Sequence, residues 1–210
     1  MLPMQAPNRS EILHHFESRD RIMAGVIRRH GPLELKRNRR YFLVLCTAII
    51  SQQISTRAAA TITGRFHGLF DGGRPTPGRV LAARLKALQG VGLSRQKTVY
   101  LKDLSRHFEE KLIRPQRLRF MSNDEVVQTL TAVHGIGRWT AEMFLIFSLG
   151  RMNVLPVDDL GLQAAVQAIY GLESRPGVKE LRAIGEKWHP LETVATWYAW
   201  RQQDETIIAY

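Results

Sequence analysis

"VHGIGRWTAE", residues 133–142, sets two glycines two positions apart and follows them with Arg138, Trp139 and Thr140. On either side, apolar residues recur at spacings of three and four. Neither a strand nor an unbroken helix accommodates Gly135 and Gly137 so close together. A tight turn between two helices does, and it brings main chain bare of side chains to the surface. The second helix then begins with unpaired N–H groups and the positive end of its dipole. Arg138 and Thr140 add a charge and a hydroxyl, and His134 stands at the entrance to the turn. His134, Gly135, Gly137, Arg138 and Thr140 thus form a candidate grip on phosphate that reads no base sequence. Taken alone, the glycines also fit a plain helix C-cap and turn.

Outward from this turn the pattern stays helical. Ser122 and Glu125 make a capping box that opens a helix running to about Val133. A second helix is expected over residues 138–149. Upstream, residues 10–30 read as one helix with Ser10 as N-cap, and residues 40–66 as one or two buried helices. Helical spacing returns at Val80–Leu88 and Arg95–Phe108, with "DGGRPTPGR" and "QGVGLS" as breaks. Downstream, "RMNVLPVDD" is extended, Leu160–Tyr170 is a helix closed by Gly171, and two more helices follow. Strand signals are few, so the fold class is all-α, with about ten helices.

Thirty basic against nineteen acidic side chains give a net charge of +11 and a pI near 10.4. Such a balance points to a polyanion, nucleic acid first, with a generic solubility charge as the plain alternative. The longest apolar stretch, around Phe42–Ile50, falls far short of the roughly 20 residues a membrane span needs. No signal core opens the chain, so no membrane association is expected. Cys46 is the single cysteine. It permits no internal disulfide, fits a reducing cytoplasm, and leaves no ligand set for a four-cysteine iron–sulfur cluster or zinc ribbon. Among seven histidines only His14 and His15 are close, and adjacent side chains diverge on a helix. No metal and no cofactor are expected.

Asp158 and Asp159 precede a helix, and both read first as N-cap or dipole-favoured acids. A longer pattern changes that reading. "LTAVHGIGRWTAEMFLIFSLGRMNVLPVDDLGL", residues 130–162, resembles the helix-hairpin-helix (HhH-GPD) DNA glycosylase superfamily, whose hairpin is followed downstream by an essential Asp. "IISQQIS" (49–55), "GLSRQKTVYLKDLS" (92–105) and "WHPLETVATWYAWR" (188–201) resemble its DNA-wedge segment, a helix start and its aromatic C-terminal helix. The resemblance spans residues 40–202 and, within the superfamily, is to the bacterial 3-methyladenine DNA glycosylase II group. Larger members of that group carry an extra N-terminal α/β lobe, for which this chain has no room.

The resemblance implies two helical lobes with an active-site cleft between them: residues 40–152 in one, and residues 1–39 with 153–210 in the other. It implies that Asp159 is catalytic, stabilising positive charge on the sugar, while Asp158 caps the helix. Trp139 and Trp200 are expected to wall the base pocket with Met143, and Trp188 and Trp197 to lie in the core. Gln53 is expected to plug the space left by a flipped base, with Gln52 supporting the loop or touching DNA. Trp139 stands where strand-cutting relatives carry a Schiff-base lysine, so the implied activity is base release alone. Glu192 stands where many relatives have Arg. The implied partner is damaged double-stranded DNA and the implied state a monomer in the bacterial cytoplasm, without an iron–sulfur cluster. Two alternatives remain open at this point. One is a glycosylase for oxidised, deaminated or mismatched bases. The other is a non-catalytic helix-hairpin-helix module, which needs the hairpin but neither Asp159 nor pocket tryptophans.

Overall fold

A computed structural model describes residues 7–203 of the chain. Among the described residues there are thirteen α-helices and no strands. The first two, α1 (Arg9–Arg19) and α2 (Arg21–Arg29), replace the single helix expected over residues 10–30. Asn8 rather than Ser10 caps α1, accepting from the Glu11 N–H at 3.0 Å while the Glu11 carboxylate accepts from the Asn8 N–H at 2.8 Å. Asp20 breaks the run: its carboxylate accepts from the Met23 N–H and so starts a new helix.

Then come α3 (Tyr41–Ser51), α4 (Thr56–Gly68), α5 (Pro77–Ala82), α6 (Leu85–Gly90) and α7 (Arg95–Glu109). After them follow α8 (Pro115–Leu118), α9 (Asn123–Thr131), α10 (Arg138–Phe144), α11 (Leu160–Tyr170), α12 (Val178–Gly185) and α13 (Glu192–Gln203). The stretch Val80–Leu88 is two helices because the Lys102 ammonium takes the Ala83 carbonyl, ending α5. The Ser122–Glu125 capping box opens α9 as expected, and Gly171, at φ +64°, closes α11 in the left-handed conformation.

The described residues divide into two compact units: Asn38–Phe144, and residues 7–37 together with residues 145–203. The second boundary falls at Phe144, ahead of the expected residue 152, where α10 passes into one buried π turn, Leu145–Leu149. In the first unit α3 is the central helix. Phe42, Val44, Leu45, Cys46, Ile49 and Ile50 are buried around most of its circumference, so it packs against α4, α7 and α10 rather than facing water on a broad side. In the other unit, α1, α2, α11 and α13 close over Phe16, Met23, Ile27, Leu162, Val166 and Tyr198. Trp188 and Trp197 are buried there, as expected. The Trp188 indole N–H donates to Asp20 Oδ2 at 3.0 Å, which satisfies both groups away from water.

Candidate active site

The turn between α9 and α10 is the helical hairpin read from the sequence. Gly135 has φ +86°, and a Cβ placed on it would lie 2.1 Å from Cδ2 of Tyr100. Glycine is therefore required there twice over, for conformation and for space. Gly137 is exposed with nothing within 4 Å of a Cβ position, so its openness serves whatever approaches from solvent. Asp103, on α7, anchors the turn: its Oδ2 accepts from the His134 N–H at 2.9 Å and lies 2.8 Å from His134 Nδ1. Burial pushes the Asp103 carboxyl up, but the bonds from the His134 N–H, Arg106 and the His134 ring outweigh it and hold the pKa at about 2. A depressed acid stabilises the fold above its ordinary value. This anchor is thus intact at neutral pH and is lost only as pH falls from 3.8 toward about 2.

Arg138 is exposed, with Nε bonded to Glu142 Oε1 at 3.0 Å. Thr140, expected at the phosphate, is instead buried. As the third residue of α10 it points inward and lines a cavity against α3.

That cavity, of about 370 Å³, gathers several expected residues. Gln52 and Gln53 line it from the end of α3, and Trp139, Thr140 and Met143 from α10. Its size is near the lower end of ligand pockets, about 300–1,000 Å³. Met143 is buried, whereas Trp139 is 38% exposed. The two glutamines differ sharply. Gln52 is half-buried and its Nε2 donates to the Gly135 carbonyl at 2.7 Å. Gln53 is exposed at the tip with φ +56°, a left-handed conformation that a non-glycine residue adopts at a cost of about 1 kcal/mol. The Lys97 ammonium, also on α7, donates to the carbonyls of Ile50 (2.7 Å) and Gln52 (2.6 Å).

In the other unit, Asp159 rather than Asp158 caps α11. The Pro156–Asp159 turn, closed by the Asp159 N–H on the Pro156 carbonyl, makes Asp159 the last residue before the helix. Its Oδ1 accepts from the Leu162 N–H at 2.6 Å, and Asp158 is left exposed one residue earlier. The same Oδ1 accepts from the Trp200 indole N–H at 3.0 Å. The Trp200 ring stacks on Phe147, with centroids 6.3 Å apart and planes 16° from parallel. Glu192, in the first turn of α13, is 2.8 Å from His189 Nδ1.

The structure thus brings Trp200 to Asp159, and Trp139 and Met143 to the two glutamines. Sequence reasoning missed Lys97, Tyr100 and Asp103. Their three-residue spacing on α7 was visible, but their partners lie far along the chain.

The HhH-GPD family, described as a superfamily of base excision DNA repair proteins, matches residues 46–190. DNA-3-methyladenine glycosylase 1 of Schizosaccharomyces pombe is 34% identical over 159 residues, which is 75% of this chain and 70% of the yeast protein. A putative DNA-3-methyladenine glycosylase of Bacillus subtilis, YfjP, is 28% identical over 196 residues, 90% of this chain and 68% of its own. Among solved structures, a DNA-3-methyladenine glycosidase from Bacillus halodurans superimposes with a TM-score of 0.85 at 34% identity, covering 95% of this chain and 90% of the other. Schizosaccharomyces pombe Mag1, a 3-methyladenine DNA glycosylase in complex with abasic DNA, gives 0.79 at 30% identity, with 92% and 96% covered. The match over most of the chain, with the glycine hairpin and its downstream Asp in place, means that this protein belongs to the HhH-GPD superfamily of base excision DNA repair proteins.

Proposed function

We propose that this protein is a monofunctional DNA glycosylase of base excision repair, acting as a monomer in the bacterial cytoplasm on damaged double-stranded DNA. Its substrates are alkylated, cationic purines such as 3-methyladenine and 7-methylguanine. The observation that carries the reading is the Asp159 carboxylate, fixed at the start of α11 by two N–H donors on one oxygen. Breaking an N-glycosidic bond develops positive charge on the sugar. A carboxylate held near C1′ stabilises that charge and can orient or deprotonate the attacking water. An alkylated purine is already cationic, so it departs without a strong general acid, and one carboxylate suffices where other glycosidases use two.

The remaining residues support the same chemistry. The Trp139 indole, lining the cavity, offers a flat, electron-rich ring to a cationic base. By the resemblance it also stands where strand-cutting relatives carry a nucleophilic lysine, which supports base release without strand cleavage. His134, Gly135, Gly137 and Arg138 present the hairpin to the DNA backbone, and Gln53 is set to occupy the space of a flipped base. Similarity to proteins named DNA-3-methyladenine glycosylase, and to one solved with abasic DNA, points the same way.

The test is direct. Purified protein is incubated with duplexes carrying 3-methyladenine, 7-methylguanine, hypoxanthine or 8-oxoguanine, and the released base is identified by chromatography. The expected result is release of the methylated purines, with strands intact until alkali is added and no adduct trapped by borohydride. Release of neutral bases in preference would overturn the alkylpurine reading, and a trapped adduct the monofunctional one.

Trp200 gives a second test. Trp200→Phe keeps a ring against Phe147 but removes the N–H on Asp159. Because a hydrogen bond to a charged group is worth about 1.5–3 kcal/mol, base release should slow at least ~10-fold with duplex affinity unchanged. Wild-type release would mean that the indole N–H does not steer the carboxylate.

A further inference from the structure

One face of α7 carries Lys97, Tyr100 and Asp103, three residues apart each time and hence stacked along the helix. All three reach the machinery just described, but at different points. Lys97 binds the last carbonyls of α3 and of the turn beyond it, those of Ile50 and Gln52. The Tyr100 ring fills the space under Gly135. Asp103 holds the main chain and ring of His134. Gln52 closes the circuit, taking Lys97 through its carbonyl and giving its side-chain N–H to the Gly135 carbonyl. The turn that presents Gln53 and the turn that presents Gly137 are therefore fixed to one rigid helix and to each other. The exposed, left-handed Gln53 directly follows the residue that Lys97 holds, so its unfavourable conformation is sustained from outside the turn.

We propose that Lys97 is a positioning residue that holds the Gln53 turn in register with the phosphate-gripping hairpin, so that gripping the backbone and filling the vacated base space occur as one event. The inference rests on the base-excision reading above and deepens it. Lys97 does not touch DNA in this role. It acts through two carbonyls, and its absence leaves Tyr100 and Asp103 supporting the hairpin. Loss of Lys97 should therefore separate two properties that are joined in the wild type, namely backbone affinity and base extrusion.

The experiment compares wild type with Lys97→Met and Lys97→Arg in three measurements: affinity for an undamaged duplex across salt concentrations, fluorescence of a 2-aminopurine placed beside a 7-methylguanine, and single-turnover release of that 7-methylguanine. Lys97→Met should bind undamaged duplex with the wild-type salt slope, because the hairpin contacts are untouched. Its base-extrusion signal and release rate should fall together, by at least ~10-fold, with two charge-assisted hydrogen bonds lost. Lys97→Arg, which can still donate to the carbonyls, should recover most of both. Wild-type extrusion by Lys97→Met would overturn the proposal. So would loss of undamaged-duplex affinity in parallel with extrusion, which would make Lys97 a general support of the unit. If Lys97→Met does not fold, Lys97→Gln, whose shorter, uncharged side chain weakens both bonds to the carbonyls, should give the same separation, wild-type extrusion again overturning the idea. A wild type that releases no base from any lesion overturns the base-excision reading, and this inference with it.

Discussion

Asp159→Asn should lower single-turnover base release at least ~100-fold while leaving duplex affinity intact, the size of effect that follows removal of one preorganised charge-stabilising group. The structure makes this substitution unusually clean. Asp159 is both the proposed catalytic carboxylate and the N-cap of α11. Asn caps helices about as well as Asp, and its side-chain oxygen can keep the bonds from the Leu162 and Trp200 N–H groups. What disappears is the charge. Asp159→Ala, by contrast, also removes the cap, worth ~1 kcal/mol, and mixes a folding defect into the rate. The measurements are release of 7-methylguanine, thermal melting and affinity for an undamaged duplex. A wild-type rate from a normally folded Asn variant would remove Asp159 from the chemistry and direct attention to the exposed Asp158.

Gly135→Ala should be among the most destabilising single substitutions in the Asn38–Phe144 unit. Its Cβ would fall 2.1 Å from the Tyr100 ring, and φ +86° is strained for any residue with a side chain. Left-handed strain of ~1–2 kcal/mol and overpacking of ~1–3 kcal/mol combine to about 2–5 kcal/mol. Gly137→Ala makes the control. Its Cβ meets nothing, and its φ is not positive. It should therefore melt near the wild type yet bind undamaged duplex more weakly, because the methyl stands where a phosphate must approach. Combining Gly135→Ala with Tyr100→Ala should restore part of the lost stability, a coupling expected only of residues in contact. If Gly135→Ala melts like the wild type, the packing of Tyr100 beneath the hairpin is wrong.

The helices were largely legible because their signals are local. A capping box at Ser122 and Glu125, a glycine stop at Gly171 and an apolar run in α3 each act within a few residues. The readings that changed turned on which of two neighbouring polar side chains wins a cap. Asp20 captures the Met23 N–H and splits a helix; Asn8 displaces Ser10; Asp159 displaces Asp158. Periodicity cannot rank such neighbours, since the outcome depends on the φ and ψ of the residue entering the helix. The burial of Thr140 is not legible either: its hydroxyl and its place beside two glycines suggest a surface role, whereas the start of α10 turns it inward. The braces on α7 were hidden for another reason. Asp103 meets a residue 31 positions away and Lys97 one 47 positions away, and nothing in "KTVYLKD" announces either partner.

The left-handed backbone at Gln53 has a consequence for anyone engineering this protein. A thermostabilisation campaign would choose residue 53 early, since glycine there removes a strained conformation at an exposed position. The hardened variant would score well in every melting assay. It would also lack the side chain proposed to stand in for an extruded base, so on that proposal a screen on heat resistance alone would select against repair. Residue 53 is better held fixed in any design library, with heat tolerance sought elsewhere in the chain.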